Sequence, residues 1–127
     1  MSMRRFVILC VDDEQTSLFV RSRVLEKAGY DVVPAQSATE ALEMLRSHSV
    51  DLVLTDLLMP GLSGADLARE IKTQKPSLPV VLFSGVNEMP PEGSHADLFL
   101  SKLEGPTLLC ERVAEVLHRF KNAAANS

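Results

Sequence analysis

The sequence predicts an α/β fold in which five parallel strands form one doubly wound sheet with helices on both faces. Three observations lead to this prediction. Short, continuous apolar runs, which suit strands covered on both faces, recur along the chain. Segments with helical character separate these runs, and most of the runs end in a polar or charged residue. With 127 residues, the chain suits a single domain (1–127), with a core at about 5–120 and a flexible tail at 121–127.

The sequence indicates where the elements of the first two strand–helix units begin and end. The apolar run at 6–11 predicts the first strand, and a helix should follow at about 16–28. Gly29 should end that helix, because glycine adopts the left-handed backbone at this position without steric cost. Residues 30–33 predict the second strand. The stretch 37–40 (Ser-Ala-Thr-Glu) resembles a capping box, which should open the second helix.

The central part of the chain repeats the pattern. Residues 51–56 predict the third strand, which ends in an aspartate. Residues 63–66 (Ser-Gly-Ala-Asp) should cap the third helix, and Pro76 should lie beyond its end because proline cannot continue a helix. Residues 79–84 predict the fourth strand.

The segment between the fourth and fifth strands departs from the pattern. Residues 85–95 contain two prolines and a glycine and have no helical period, so a fourth helix there should be short or absent. Residues 97–101 predict the fifth strand. Pro106 suits the first position of a last helix, where the missing N–H of proline is no loss.

Composition excludes several classes of function. The net charge is −4 and no basic stripe is present, so direct nucleic-acid binding is not expected. No apolar run approaches 18 residues, and the start of the chain does not resemble a signal peptide, which predicts a cytoplasmic domain without a membrane span. Cys10 and Cys110 form no metal or redox motif and should be reduced and structural.

Polar side chains at the strand ends form the candidate site. Because the carboxyl ends of parallel strands meet at one sheet edge, we expect five side chains to converge there. They are Asp12, Asp13, Asp56, Ser84 and Lys102. Two carboxylates about 4 Å apart repel by roughly 4 kcal/mol at an effective dielectric constant of 20, so this cluster needs a cation or a shared proton.

The chemistry of these groups suggests phosphoryl transfer. Short carboxylates open to solvent suit Mg²⁺, which keeps several waters and meets phosphate groups. Asp56 can then act as the nucleophile and form an aspartyl phosphate. Lys102 supplies a positive charge for one phosphoryl oxygen and Ser84 a hydroxyl donor for another.

These motifs together are similar to the receiver domains of two-component response regulators. The resemblance covers about residues 5–120, and it lies in the order of Asp12-Asp13, Asp56, Met59-Pro60-Gly61, Ser84-Gly85 and Lys102. It implies a flavodoxin-like sheet with the strand order 2-1-3-4-5. It also implies a signalling switch that phosphorylates and dephosphorylates itself, and not an enzyme that turns over an external substrate.

The resemblance assigns the metal ligands residue by residue. It implies that Asp13 and Asp56 bind Mg²⁺ directly, that Asp12 acts mainly through water, and that the backbone carbonyl of Leu58 is a third protein ligand.

The resemblance also implies partners and a switch. Asp56 would receive its phosphoryl group from a phosphohistidine on a sensor histidine kinase or a histidine phosphotransfer protein. Ser84 and Lys102 would bind that group, and Phe99 would match the aromatic residue that changes rotamer on activation. The output would pass to a downstream protein target or a fused output domain.

Three departures from the family pattern stand out. Leu103 follows Lys102 where the family has a proline in cis, and a cis bond to a non-proline residue costs about 2.5–4 kcal/mol. The bond is therefore either strained or trans. The proline-broken segment 85–95 predicts an altered output surface. Apolar Leu58 and Val86 flank the expected phosphoryl position and cannot orient a water by hydrogen bonding, which predicts a long-lived phosphoryl state.

Plainer interpretations remain open at each position. Asp12 and Asp13 could simply cap the first helix, and Phe99 could be a packing residue. Asp56 and Ser84 could be turn residues, and Lys102 could be a solvated surface lysine. The whole chain could be a phospho-independent, receiver-like interaction module. A phosphatase of the haloacid-dehalogenase type would need a second acid at position 58, where this chain has leucine. A flavin or nucleotide binder would not place acids after its first strand, because they repel phosphate.

Overall fold

A computed structural model describes residues 5–85 and 95–125, without the side chains of 122–125. Strands and helices alternate along this part of the chain. The strands are β1 (Val7–Val11), β2 (Asp31–Ala35), β3 (Leu52–Asp56), β4 (Val80–Ser84) and β5 (Leu98–Ser101). The helices are α1 (Gln15–Lys27), α2 (Ala38–Ser47), α3 (Gly64–Gln74) and α4 (Pro106–Ala125). None of these helices is long and apolar enough to cross a membrane.

The five strands form one parallel sheet with the order β2-β1-β3-β4-β5. This confirms the predicted doubly wound fold and its strand order. In the register of the sheet, Val11 pairs with Thr55, Asp56 pairs with Phe83, and Ser84 pairs with Ser101. The carboxyl ends of β1, β3, β4 and β5 therefore meet at one edge.

Helices cover both faces of the sheet, as predicted. On one face, buried side chains of α1 and α4 pack on the strands. On the other face, buried side chains of α2 and α3 do the same. All five positions of β3 and of β4 are buried, which explains why these segments show no polar alternation.

The helix ends follow the sequence signals with one exception. Gly29 follows α1 with φ of 105°, a conformation that other residues rarely adopt. Ser37 caps α2 by accepting the N–H of Glu40, but no return bond from the Glu40 side chain is found among the described residues. The predicted capping box is thus only half formed. The complete box opens α3, where Asp66 bonds back to Ser63.

The backbone of α4 is helical to Ala125, so this helix is longer than the sequence predicted. The alanines at 123–125 favour this extension, because alanine has the highest helix propensity. The flexibility of the tail stays a prediction, and its residues 126–127 lie outside the described part of the chain. Most of the predicted loop at 85–95, with its short or absent helix, also lies outside it, at 86–94.

Candidate functional site

Three acidic side chains come together at the carboxyl edge of the sheet. Asp12 and Asp13 follow β1, and Asp56 ends β3. One carboxylate oxygen from each lies within 4.8 Å of the others. Asp12 and Asp56 are only 1% and 5% exposed, whereas Asp13 is exposed and pairs with none of the described residues. The cluster therefore opens to solvent at Asp13, where a ligand could enter.

Asp12 is held by two protein partners. Its Oδ1 accepts the backbone N–H of Glu14 at 2.9 Å, and its Oδ2 lies 2.9 Å from Nη1 of Arg21. The Arg21 guanidinium also lies over the ring of Phe83, 4.4 Å from its centre. Charge pairing and the aromatic ring together hold this buried arginine in place.

The first helix is capped by Glu14 and not by Asp12 or Asp13. The Glu14 carboxylate accepts the backbone N–H groups of Thr16 and Ser17. Hydrogen bonds from Ser17 and Thr16 lower the pKa of Glu14 below its usual value. The capping interpretation of Asp12 and Asp13 is therefore wrong, and both carboxylates remain in the acidic cluster.

Asp56 sits in a strongly perturbed environment. Burial raises its pKa from 3.8 to about 6, the Asp12 carboxylate adds to this rise, and Lys102 opposes it. Lys102 Nζ lies 2.8 Å from Asp56 Oδ1. That oxygen is buried without a hydrogen bond of standard geometry, so its contact with Lys102 is an ion pair. An oxygen in this state can accept a further ligand.

Lys102 reaches Asp56 without a cis peptide bond. The described residues contain no cis bond, so Lys102–Leu103 is trans, which answers the question that the missing proline raised. The backbone N–H of Lys102 donates to the carbonyl of Ser84 at 2.7 Å. Ser84 is buried and follows Phe83, the strand partner of Asp56. These contacts place the ends of β4 and β5 beside the acidic cluster.

The connection from β3 to α3 is tightly packed. Leu57 donates its N–H to Phe83 and accepts that of Gly64. A Cβ atom on Gly64 would clash with the carbonyl oxygen of Asp56, because it would come closer than real Cβ atoms do. Only glycine therefore fits here. The Leu58 side chain is exposed, and no hydrogen bond among the described residues uses its carbonyl oxygen.

The side chains of Phe99 and Cys10 belong to strands of the sheet. Phe99 is half-buried on β5 and pairs with Leu82 in the sheet. Cys10 is fully buried, and this burial raises the pKa of its thiol to about 11. The thiol is therefore protonated at neutral pH, as expected of a structural cysteine.

The donor set suits a magnesium ion. Hard carboxylate oxygens on neighbouring side chains, one of them exposed, are what a partly hydrated Mg²⁺ prefers. The buried Asp56 oxygen without a standard hydrogen bond fits the same purpose. The residues present are therefore compatible with the metal that the chemistry of the cluster calls for.

Comparison with known proteins identifies the family. A family model described as "Response regulator receiver domain" matches residues 8–114, which is most of the chain. The chain belongs to this family. Receiver domains take part in two-component signalling and bind Mg²⁺ in an acidic pocket.

Curated relatives of this receiver domain are longer regulators. The alkaline phosphatase synthesis transcriptional regulatory protein PhoP of Bacillus subtilis is 30% identical over 94% of this chain and 52% of its own length. The DNA-binding transcriptional regulator NtrC of Escherichia coli is 33% identical over 68% of this chain and 19% of its own. The receiver domain thus spans about half of the first relative and a fifth of the second.

Solved structures support the same assignment. A response regulator receiver domain protein from Clostridium thermocellum has a TM-score of 0.86 and 32% identity, covering 93% of this chain and 98% of its own. The response regulator TrrA of Thermotoga maritima, in complex with Mg²⁺ and BeF, has a TM-score of 0.82 and 31% identity, covering 87% of this chain and 98% of its own.

The structure shows one residue at the cluster that the sequence interpretation missed. Arg21 lies three residues after Leu18 and four before Leu25, and all three are buried. A charged residue at helical spacing between two core leucines is a readable signal of a buried ion pair. The spacing indicates that Arg21 is buried but not which acid it pairs with, because that depends on how α1 packs on the end of β1.

Proposed function

We propose that this receiver domain is a phospho-accepting switch in which Asp56 receives a phosphoryl group from a phosphohistidine. Asp13, Asp56 and the Leu58 carbonyl would hold Mg²⁺ directly, with Asp12 acting through water. The observation that carries the proposal is the convergence of the three carboxylates, together with Lys102 Nζ at 2.8 Å from Asp56 Oδ1.

The chemistry follows from the groups at the cluster. A carboxylate oxygen of Asp56 attacks phosphorus, the P–N bond of the donor breaks, and the released histidine takes a proton from solvent. Lys102 balances the charge of one phosphoryl oxygen, and the Ser84 hydroxyl donates to another. Mg²⁺, when bound, supplies the positive charge that lets an anionic donor approach three carboxylates.

The donor and the output follow from the same proposal. A sensor histidine kinase or a histidine phosphotransfer protein would supply the phosphoryl group. Ser84 and Phe99 would change position when the group is bound and signal to a downstream protein or a fused output domain. The reaction is self-phosphorylation and self-dephosphorylation, with no turnover of an external substrate.

Intact mass after incubation with Mg²⁺ and acetyl phosphate tests the proposal. We expect wild type to gain one phosphoryl group and Asp56→Asn to gain none. Asp31→Asn is a matched control, because Asp31 is an exposed aspartate at the start of an edge strand, away from the cluster. A gain in Asp56→Asn equal to that of wild type would refute the assignment of the acceptor.

A second candidate function has one specific observation in its favour. Arg21 and Lys102 already pair with two of the three carboxylates, so the cluster is partly neutralised by the protein itself. This suits a phospho-independent, receiver-like interaction module. Absence of both Mg²⁺ binding and phosphorylation in wild type would favour this module over the switch.

A further inference from the structure

Arg21 is a buried cation at the acidic cluster that the proposed phosphoryl transfer does not use. Its side chain is 10% exposed, and that of its partner Asp12 is 1% exposed. Arginine is almost never buried to this extent without a partner, because its charge must be compensated. The charge of Arg21 is therefore compensated within the cluster by Asp12.

The geometry of Arg21 makes it a fixed charge. Nη1 lies 2.9 Å from Asp12 Oδ2, and the guanidinium carbon Cζ lies over Phe83, 4.4 Å from the ring centre. The second oxygen of Asp12 is also engaged, by the N–H of Glu14. Neither Arg21 nor Asp12 can turn away without breaking these contacts, so the positive charge stays beside the carboxylates.

We propose that Arg21 is an internal counter-cation of the Mg²⁺ site, which positions Asp12 and lowers the affinity of the site for the metal. The inference rests on the proposed function, since it assumes that Mg²⁺ binds at Asp13 and Asp56. Arg21 and Lys102 together leave one net negative charge on three carboxylates. A divalent cation entering this cluster is therefore attracted less strongly than by three unpaired acids, and Arg21 itself repels it.

Because Mg²⁺ binding is linked to stability, the change in melting temperature with Mg²⁺ is a second measure of the effect of Arg21. In the metal-free protein, Arg21 compensates the buried charge of Asp12. When its charge is removed, Mg²⁺ takes over part of that compensation, so the metal should stabilise the variant more than it stabilises wild type. A merely structural role predicts the opposite result, because a displaced Asp12 would weaken metal binding.

The experiment measures the dissociation constant for Mg²⁺ by titration calorimetry, and the melting temperature in EDTA and in Mg²⁺. The variants Arg21→Gln and Arg21→Met remove the charge, and Arg21→Lys keeps it. Arg23→Met is a matched control, because Arg23 is exposed on the same helix and its loss changes the net charge equally. We expect at least fivefold tighter Mg²⁺ binding in the Gln and Met variants and a larger rise in melting temperature with Mg²⁺.

The control variants separate the effect of the Arg21 charge on Mg²⁺ binding from an effect on folding. Arg21→Lys and Arg23→Met should bind Mg²⁺ within about twofold of wild type. Circular dichroism verifies that each variant is folded, and if Arg21→Met does not fold, the Gln and Lys variants decide the question. Affinity in folded Arg21→Gln that is unchanged or weaker overturns the role of Arg21 while leaving the switch intact. A wild type that binds no Mg²⁺ overturns the proposed function and this inference together.

Discussion

Replacing Asp56 with asparagine is expected to stabilise the metal-free protein at neutral and alkaline pH. Asp56 is buried beside Asp12, and its pKa is raised from 3.8 to about 6. The folded state therefore disfavours the ionised carboxylate more than the unfolded state does. Asparagine has nearly the same shape and carries no charge, so the variant avoids this cost.

The magnitude follows from the shift in pKa. A difference of about two pKa units corresponds to about 3 kcal/mol of folding free energy, at 1.36 kcal/mol per unit. Below pH 4 the carboxyl group is protonated in both states, and the cost is absent. Between pH 4 and 6 the unfolded state ionises first, so the stability of wild type falls relative to that of the variant. Above pH 6 the difference reaches its full value and stays constant.

Urea denaturation followed by circular dichroism, in EDTA and from pH 4 to 8, measures this difference. At pH 8 the melting temperature of Asp56→Asn should also exceed that of wild type by roughly 10 °C, which is the shift that about 3 kcal/mol gives in a domain of this size. Asp31→Asn serves as the control, because its exposed ion pair with Arg5 contributes little. It should stay within about 0.5 kcal/mol of wild type.

Two results would contradict this reasoning. The first is an Asp56→Asn variant no more stable than wild type at pH 8, which would mean that Lys102 fully compensates the buried carboxylate. The second is a stability difference that does not change between pH 4 and 6, which would mean that the titration of Asp56 is not its cause.

Three further substitutions address other parts of the molecule. Gly64→Ala should lower the free energy of unfolding by about 3 kcal/mol or prevent folding, because there is no room for its Cβ. Gly105→Ala, where the Cβ has open space, should lower it by less than about 1 kcal/mol in urea denaturation. Lys72→Met should lower the free energy of unfolding by about 2 kcal/mol in the same assay, because it removes the cation that pairs with the half-buried Asp97 carboxylate. In wild type the Lys72 ammonium lies 2.6 Å from that carboxylate. Leu58→Asn should shorten the lifetime of the phosphorylated protein severalfold, because an amide can orient a water and leucine cannot. The lifetime is measured as the loss of the phosphoryl mass with time, and an unchanged lifetime would contradict this prediction.

Most of the fold and of the acidic cluster could be predicted because local signals determine them. Continuous apolar runs at β3 and β4 indicate strands buried on both faces, and parallel pairing then brings the acids at the strand ends to one edge. Asp12, Asp13 and Asp56 meet there for this reason. Gly29 ended α1 as predicted because a single residue type determines that backbone conformation.

What the sequence interpretation missed depends on contacts between distant segments. The pairing of Arg21 with Asp12 requires knowing that α1 packs its buried face over the end of β1. The route of Lys102 to Asp56 through a trans peptide depends on the turn after β5. The N-cap of α1 was also missed, although it is a local feature. Glutamate is a less usual N-cap than aspartate, so only the geometry distinguishes Glu14 from its neighbours.

The contact between Gly64 and the backbone of Asp56 has a mechanical consequence. The start of α3 lies against the Asp56 carbonyl with no space between them, so Asp56 and this helix form one stiff unit. The Asp56 side chain, by contrast, forms its ion pair with the long and partly exposed side chain of Lys102, which can follow a displacement by rotating about its own bonds. The backbone of Asp56 is therefore held rigidly and its ion pair flexibly, and a movement of this backbone would carry α3 with it as a rigid body.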